Sequence, residues 1–192
     1  MSDSTELGEW EFIGRRGGDS VQLVPGENLF AHPQVRARVE EANRVLLFDF
    51  TNDKAVLEML RQRHGDEEAM FDAGLKWGVP LAIIGVFGVI YWAGVAQYWE
   101  SSAARGGYLA VATVVILSLL GLYVRSAVKI WGDPRRQNLR ARAHGYRELA
   151  HAARRAGLDI PARYPHYGPY PFAANFHPGV AAAESQDDGG RL

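Results

Sequence analysis

Hydrophobic and polar positions divide this chain around two stretches that hold no charged side chain. Trp77–Trp99 and Gly106–Val124 run for 23 and 19 residues, and only Glu-Ser-Ser-Ala-Ala-Arg (100–105) separates them. An α-helix needs about 20 residues to cross a bilayer core of about 30 Å. A core helix of a soluble protein shows polar residues along one side. Here residues 80–91, Pro-Leu-Ala-Ile-Ile-Gly-Val-Phe-Gly-Val-Ile-Tyr, are apolar all round, and Leu109–Leu117 is interrupted only by Thr113. Trp77, Trp92, Tyr98, Trp99, Tyr108, Tyr123 and Trp131 gather mostly near the run ends, where interfacial aromatics belong. The pattern predicts two transmembrane helices, 77–99 and 106–131, joined by a short outer loop at 100–105.

Before these runs the periodicity is that of a small cap, residues 1–74. Glu9–Ile13 and Ser20–Val24 alternate polar and apolar around Gly14-Arg-Arg-Gly-Gly-Asp19, which predicts a β-hairpin over 9–24. That glycine-rich turn lacks the Gly-Lys-Ser/Thr ending of a phosphate-binding loop. Helices are predicted at about 34–48, 53–64 and 66–76. Gly65 suits the stop of the second, and Asp66-Glu67-Glu68 the start of the third.

After the runs, Asp133 and Pro134 make a helix start and Gly157 a stop, so 133–157 reads as a basic amphipathic helix. Leu139, Ala143, Tyr146, Ala150 and Ala153 form its apolar stripe. Four prolines and four aromatics within Ile160–Phe172 predict an extended arm over 158–180. Its aromatics, Tyr164, Tyr167, Tyr170, Phe172 and Phe176, are candidates for docking on a partner. Residues 181–192 read as disordered. The fold class expected is a mostly α membrane protein: a two-helix transmembrane hairpin, a small N-terminal α(+β) cap, a basic juxtamembrane helix and an extended arm.

Charge adds direction. Residues 1–76 carry 15 acidic and 9 basic side chains, whereas 125–163 carry 3 acidic and 10 basic. Basic residues close to span ends set orientation. Arg125, Lys129, Arg135, Arg136, Arg140 and Arg142 follow the second run, against Arg105 alone in the loop, so both termini are expected on the inner side. That side is the bacterial cytoplasm or the mitochondrial matrix. The same six residues are candidates for binding anionic lipid headgroups. The alternative for the basic helix is packing against the acidic cap. Nucleic-acid binding is not expected, because no recognition fold or aromatic platform accompanies the arginines. The acidic first residues predict no cleaved secretory signal.

Candidate chemistry is sparse. With no cysteine, thiolate metal sites and cysteine nucleophiles are excluded. No Asp, Glu, Lys, Arg or His lies within either run, which argues against a proton path, a haem ligand or a transport site there. His144 and His151 stand seven apart, not at the three- or four-residue spacing of metal pairs on a helix. No catalytic residues, cofactors or metals are expected. Gly74, Gly78, Gly85, Gly88, Ser118 and Gly121 are small enough to allow close helix packing, within the hairpin or against a neighbouring membrane protein.

The function expected is that of a non-catalytic accessory subunit of a larger membrane complex, with other membrane subunits and anionic lipids as partners. Respiratory-chain or ATP-synthase complexes are hosts by analogy only. The alternatives are a self-assembling membrane effector or signalling protein, a membrane-surface scaffold using the basic helix, and an enzyme with a bilayer-surface site.

Overall fold

The computed structural model describes residues 8–94, 102–162, 164 and 175–189. It is mostly helical: β1 (Glu11–Ile13), β2 (Ser20–Gln22), α1 (Gly26–Leu29), α2 (Pro33–Leu46), α3 (Asp53–Gly94), α4 (Ser102–Trp131), α5 (Pro134–Arg155) and α6 (Pro178–Gly189). The chain forms two compact units. Unit 1 combines Met1–Glu67 with Gly132–Leu192, and unit 2 is Glu68–Trp131.

Unit 1 is built from both ends of the sequence. β1 and β2 pair antiparallel with Phe12 opposite Val21, and Gly17 takes φ +63° in the turn, where a side chain would be strained. Phe12 is fully buried against the edge of Tyr164, with ring centroids 5.6 Å apart. Arg61 of α3 fastens the hairpin by donating to the carbonyls of Gly8 at 2.7 Å and Glu11 at 3.0 Å. Leu29, Val35, Val39, Phe50, Val56 and Leu60 supply the N-terminal share of the core. Tyr146, Leu149, Ala150 and Ala153 of α5 supply much of the rest. Where α2 crosses α5, Gly145 leaves room for Leu46, whose Cδ1 would stand 2.5 Å from an added Cβ.

α5 starts as its sequence predicts. The Asp133 carboxylate accepts from Arg135 N at 3.0 Å, and Pro134 occupies the first position. Gly157 follows its end at φ +92°. α3 differs from expectation. The helices expected separately at 53–64, 66–76 and 77–99 are one helix of 42 residues over Asp53–Gly94, and residues 95–99 lie outside the described residues. Asn52 caps it, accepting from Ala55 N at 3.2 Å, while Asp53 accepts from Gly26 N at 2.8 Å and ties down α1. Gly65 is interior to the helix, not its stop. A glycine there costs about 1 kcal/mol relative to alanine. Burial of Leu60 on one side and Asp66 on the other holds the backbone helical across it.

The C-terminal region also departs from the sequence reading. Pro178–Gly189 forms α6, where an extended arm and a disordered tail were expected. Fully buried Asn138 explains the order. Its Oδ1 accepts from His177 N at 2.7 Å and its Nδ2 donates to His177 O at 3.1 Å, seating the start of α6 on α5. Ala181 is buried beyond this clamp.

Tyr164 closes the core. Its hydroxyl accepts from Val24 N at 2.9 Å and lies 3.0 Å from the Tyr146 hydroxyl. Burial pushes its pKa above the usual 10.0, and those two hydrogen bonds oppose the shift only in part. Tyr164→Phe should cost about 1–3 kcal/mol in chemical denaturation of the detergent-solubilised chain. The wild type should also lose stability as pH rises above 10, because the unfolded tyrosine ionises first. That part of the alkaline loss should be absent in Tyr164→Phe.

Candidate functional site

Acidic and basic residues far apart in sequence meet at the interface of α3 and α5 in unit 1. Asp66 is buried, as are Arg140 and Arg63. Asp66 Oδ2 accepts from Arg140 Nε at 2.9 Å and lies 2.8 Å from a terminal nitrogen of the same guanidinium. Its Oδ1 accepts from Arg136 at 2.8 Å. Arg63 stands 4.0 Å from Asp66 and pairs with Glu67 at 3.0 Å. A carboxylate in this setting needs partners on both oxygens, since an unpaired buried charge is far costlier than a paired one. The arginines of α5 provide them.

Arg142 is a second junction. It donates to Leu46 O at 3.2 Å and Leu47 O at 3.3 Å, at the C-terminal end of α2. Its guanidinium pairs with Glu184 of α6 at 3.3 Å and lies 5.4 Å from the centre of the Phe48 ring. Leu47 has φ +46°, a left-handed conformation that costs a non-glycine residue about 1–2 kcal/mol. The hydrogen bonds from Arg142 satisfy carbonyls at this unusual helix end.

Beside these junctions lies a groove of about 590 Å³ in unit 1. Its lining mixes the apolar Phe48, Met59 and Leu139 with the charged Arg135, Arg136, Arg142, Glu58 and Glu184.

The six basic residues expected at lipid headgroups thus separate into groups. Arg125 and Lys129 are exposed near the end of α4, and Arg135 is exposed in the first turn of α5. Arg136 is half-buried and shared with Asp66. Arg140 and Arg142 correct the expectation: their guanidinium groups are engaged by Asp66, by the end of α2 and by Glu184. The arginine count was visible in the sequence. Their burial was not, although the spacing of Arg136 and Arg140 places both beside the apolar stripe.

Tyr164, expected to dock on a partner, is buried in this chain's own core. Phe176 is half-buried, and Tyr167, Tyr170 and Phe172 lie outside the described residues. No group of three or more His, Asp or Glu that could hold a metal occurs among the described residues. His151 instead accepts from Arg147 Nε at 3.4 Å, and its pKa is lowered by partial burial and then by that positive charge.

In unit 2, α3 and α4 are long and apolar enough to cross a membrane. Their side chains face outward: Phe87 is 65% exposed and Val89 68%. Two of the six small residues meet the other helix. A Cβ on Gly78 would lie 3.8 Å from the Tyr123 ring, and one on Gly88 3.7 Å from the Tyr108 hydroxyl. That hydroxyl donates to Gly88 O at 3.2 Å, and the Tyr108 ring lies 5.3 Å from Tyr91 and 6.1 Å from Trp92. Gly74, Gly85 and Gly121 face open space, and Ser118 donates to Val114 O within its own helix at 2.7 Å.

No family model, curated protein or solved structure matches the chain.

Asp66→Asn should lower the unfolding free energy by about 3–5 kcal/mol, because it leaves Arg140 buried without its counter-charge. Adding Arg140→Met should recover part of that loss. Arg135→Gln, on the surface of the same helix, should stay within about 0.5 kcal/mol of wild type. Denaturant midpoints in one detergent check all three.

Proposed function

We propose that the chain is a non-catalytic accessory subunit of a larger membrane assembly, held in the bilayer by α3 and α4 as a helical hairpin, with unit 1 on the inner side. The observation that carries this reading is the shared core of unit 1. Residues before α3's apolar stretch and residues after α4 bury one another, and a single core cannot be divided across a bilayer. The flanks of the two apolar helices therefore belong on one side, which suits an even number of spans. The contacts of Gly78 with Tyr123 and of Gly88 with Tyr108 run in opposite order along the two helices, as a hairpin requires. Orientation follows from Arg125 and Lys129, exposed at the end of α4 and placed to meet anionic headgroups.

The structural role rests on what the apolar helices offer. Their outward residues, such as Val86, Phe87, Val89, Val111 and Leu117, carry no ionisable group. Each would gain about 1.5–3 kcal/mol on leaving water. Gly74, Gly85 and Gly121 keep open surface where another helix can approach closely. Tyr167, Tyr170 and Phe172 are the docking aromatics of this reading. Respiratory-chain and ATP-synthase complexes are proposed hosts by analogy. The same open glycine faces favour one second reading, self-assembly of the hairpins as a membrane effector.

Single-cysteine labelling tests the topology cleanly, since the chain has no cysteine of its own. Asn28→Cys and Gly179→Cys should both resist a membrane-impermeant maleimide in intact cells or mitoplasts, while Ala103→Cys should react. Labelling of only one of the first two would overturn the hairpin. Purification from native membranes in mild detergent should then bring other membrane subunits with the chain. Recovery of a homo-oligomer would favour self-assembly, and a lone monomer would refute both.

A further inference from the structure

Within unit 2, the ends of the apolar helices nearest Trp77 and Tyr123 differ in chemistry from one side to the other. The contacts of Gly78 with Tyr123 and of Gly88 and Trp92 with Tyr108 mark the sides on which α3 and α4 face each other. Half-buried Ala73 and Trp77 on α3, and Ser126 and Ile130 on α4, continue those sides. Turning about 100° per residue from there, Phe71 and Leu75 fall on the same side of the hairpin plane as Val124 and Val128. Lys76 and Lys129 fall on the other side. Asp72 stands at the outer edge of α3, and Arg125 at that of α4. Phe71, Leu75, Val124 and Val128 are 40%, 44%, 49% and 63% exposed. Asp72 and Arg125 are exposed too, and neither enters an ion pair among the described residues.

Lipid tails are a poor cover for this face. Phe71 stands six residues before Trp77, and Val128 five after Tyr123. At a helical rise of about 1.5 Å per residue, they lie about 9 Å and about 7.5 Å beyond the interfacial aromatics. At similar depth on the opposite side, Lys76 and Lys129 call for water and headgroups. A contiguous apolar face at that level is suited to covering by protein.

We propose that this face joins two copies of the chain about a twofold axis along the membrane normal. The inference rests on the hairpin reading and gives the proposed assembly a pair of these subunits. A twofold contact must complement itself. Here the axis lays α3 of one copy on α4 of the other. Phe71 and Leu75 then meet Val128 and Val124 of the second copy at the same depth, to within about one helical turn. Large side chains meet small ones, and no charge lies between them. At the edges Asp72 comes alongside Arg125 of the second copy, twice by symmetry. Such pairs fix partner and register more than they add affinity. With five N–H donors, Arg125 can meet a headgroup phosphate as well. A different membrane subunit would have to bring both a cation for Asp72 and a carboxylate for Arg125, whereas a second copy already carries the two at matching depth.

The test uses the full chain, which has no cysteine of its own. Two differently tagged forms are co-expressed, one with Leu75→Cys and one with Val124→Cys, and native membranes are oxidised with copper phenanthroline. A disulfide-linked pair carrying both tags is expected. Lys76→Cys with Lys129→Cys, on the opposite side, should give none. The dimer dissociation constant is then measured by analytical ultracentrifugation in one detergent. Asp72→Arg and Arg125→Asp should each weaken pairing about tenfold, since each alters two symmetric ion pairs. The double variant should return to within about threefold of wild type. Only contact between copies explains that rescue, because the two residues occupy opposite edges of one hairpin. Absence of the linked pair, or a double variant no better than the single ones, overturns the proposal. If other membrane subunits still co-purify in that case, the accessory-subunit reading stands without the pair. Denaturant midpoints of the single variants, expected near wild type, separate lost pairing from lost folding.

Discussion

Tyr146 and Tyr164 reach unit 1 from beyond α4, and Phe12, Phe50 and Leu60 wait for them from before α3's apolar stretch. This meeting is the constraint from which the rest of the structure follows. Each flank is near the lower limit of length for burying a core of its own. The hairpin of β1 and β2 has one buried aromatic, and a lone two-stranded hairpin is marginal in water. α5 has a stripe made largely of alanine, which buries little area alone but lets α2 and α3 come close. Only together do they surround Tyr146 and Tyr164.

The polar contacts across the same interface add position to this burial. Apolar packing alone would tolerate a sliding of α5 along its axis, since Ala143, Ala150 and Ala153 are nearly interchangeable in shape. Asp66 does not tolerate it. Its two oxygens take Arg136 and Arg140, one turn apart on α5, and a shift by one turn would strand a buried charge. Arg142 then reaches the end of α2, and Asn138 holds His177. Arginine and asparagine side chains set the register that alanine leaves loose. This is the use of buried polar groups for which physical support is strongest.

Much of this was legible in the sequence, and the misses share a cause. The β-hairpin and the cap and stop of α5 depend on local pattern, and the structure has them where the pattern puts them; the apolar runs lie within longer helices, α3 from Asp53 and α4 from Ser102, which begins inside the stretch expected as a loop at 100–105. The break at Gly65 was a local inference overridden by tertiary burial on both sides of it. Residues 178–189 lack an apolar stripe of the kind that marks α5, and their order comes from Asn138, forty positions away. The burial of Arg140 and Arg142 required knowing that Asp66 and the end of α2 would face them. Of the two readings open for the basic helix, packing on the acidic cap describes Arg140 and Arg142. The headgroup reading keeps its support at Arg125, Lys129 and Arg135, which remain exposed.

The split origin of unit 1 has a consequence for how the protein is made. Translation proceeds from the N-terminus, so β1, β2, α2 and the start of α3 leave the ribosome without the tyrosines that complete their core. About 100 further residues must be added before Tyr164 is available, or about 5–20 s at ordinary elongation rates. During that interval Phe12, Phe50 and Leu60 have no permanent cover. Nascent chains stalled before Tyr146 would therefore be targets for holdases and proteases.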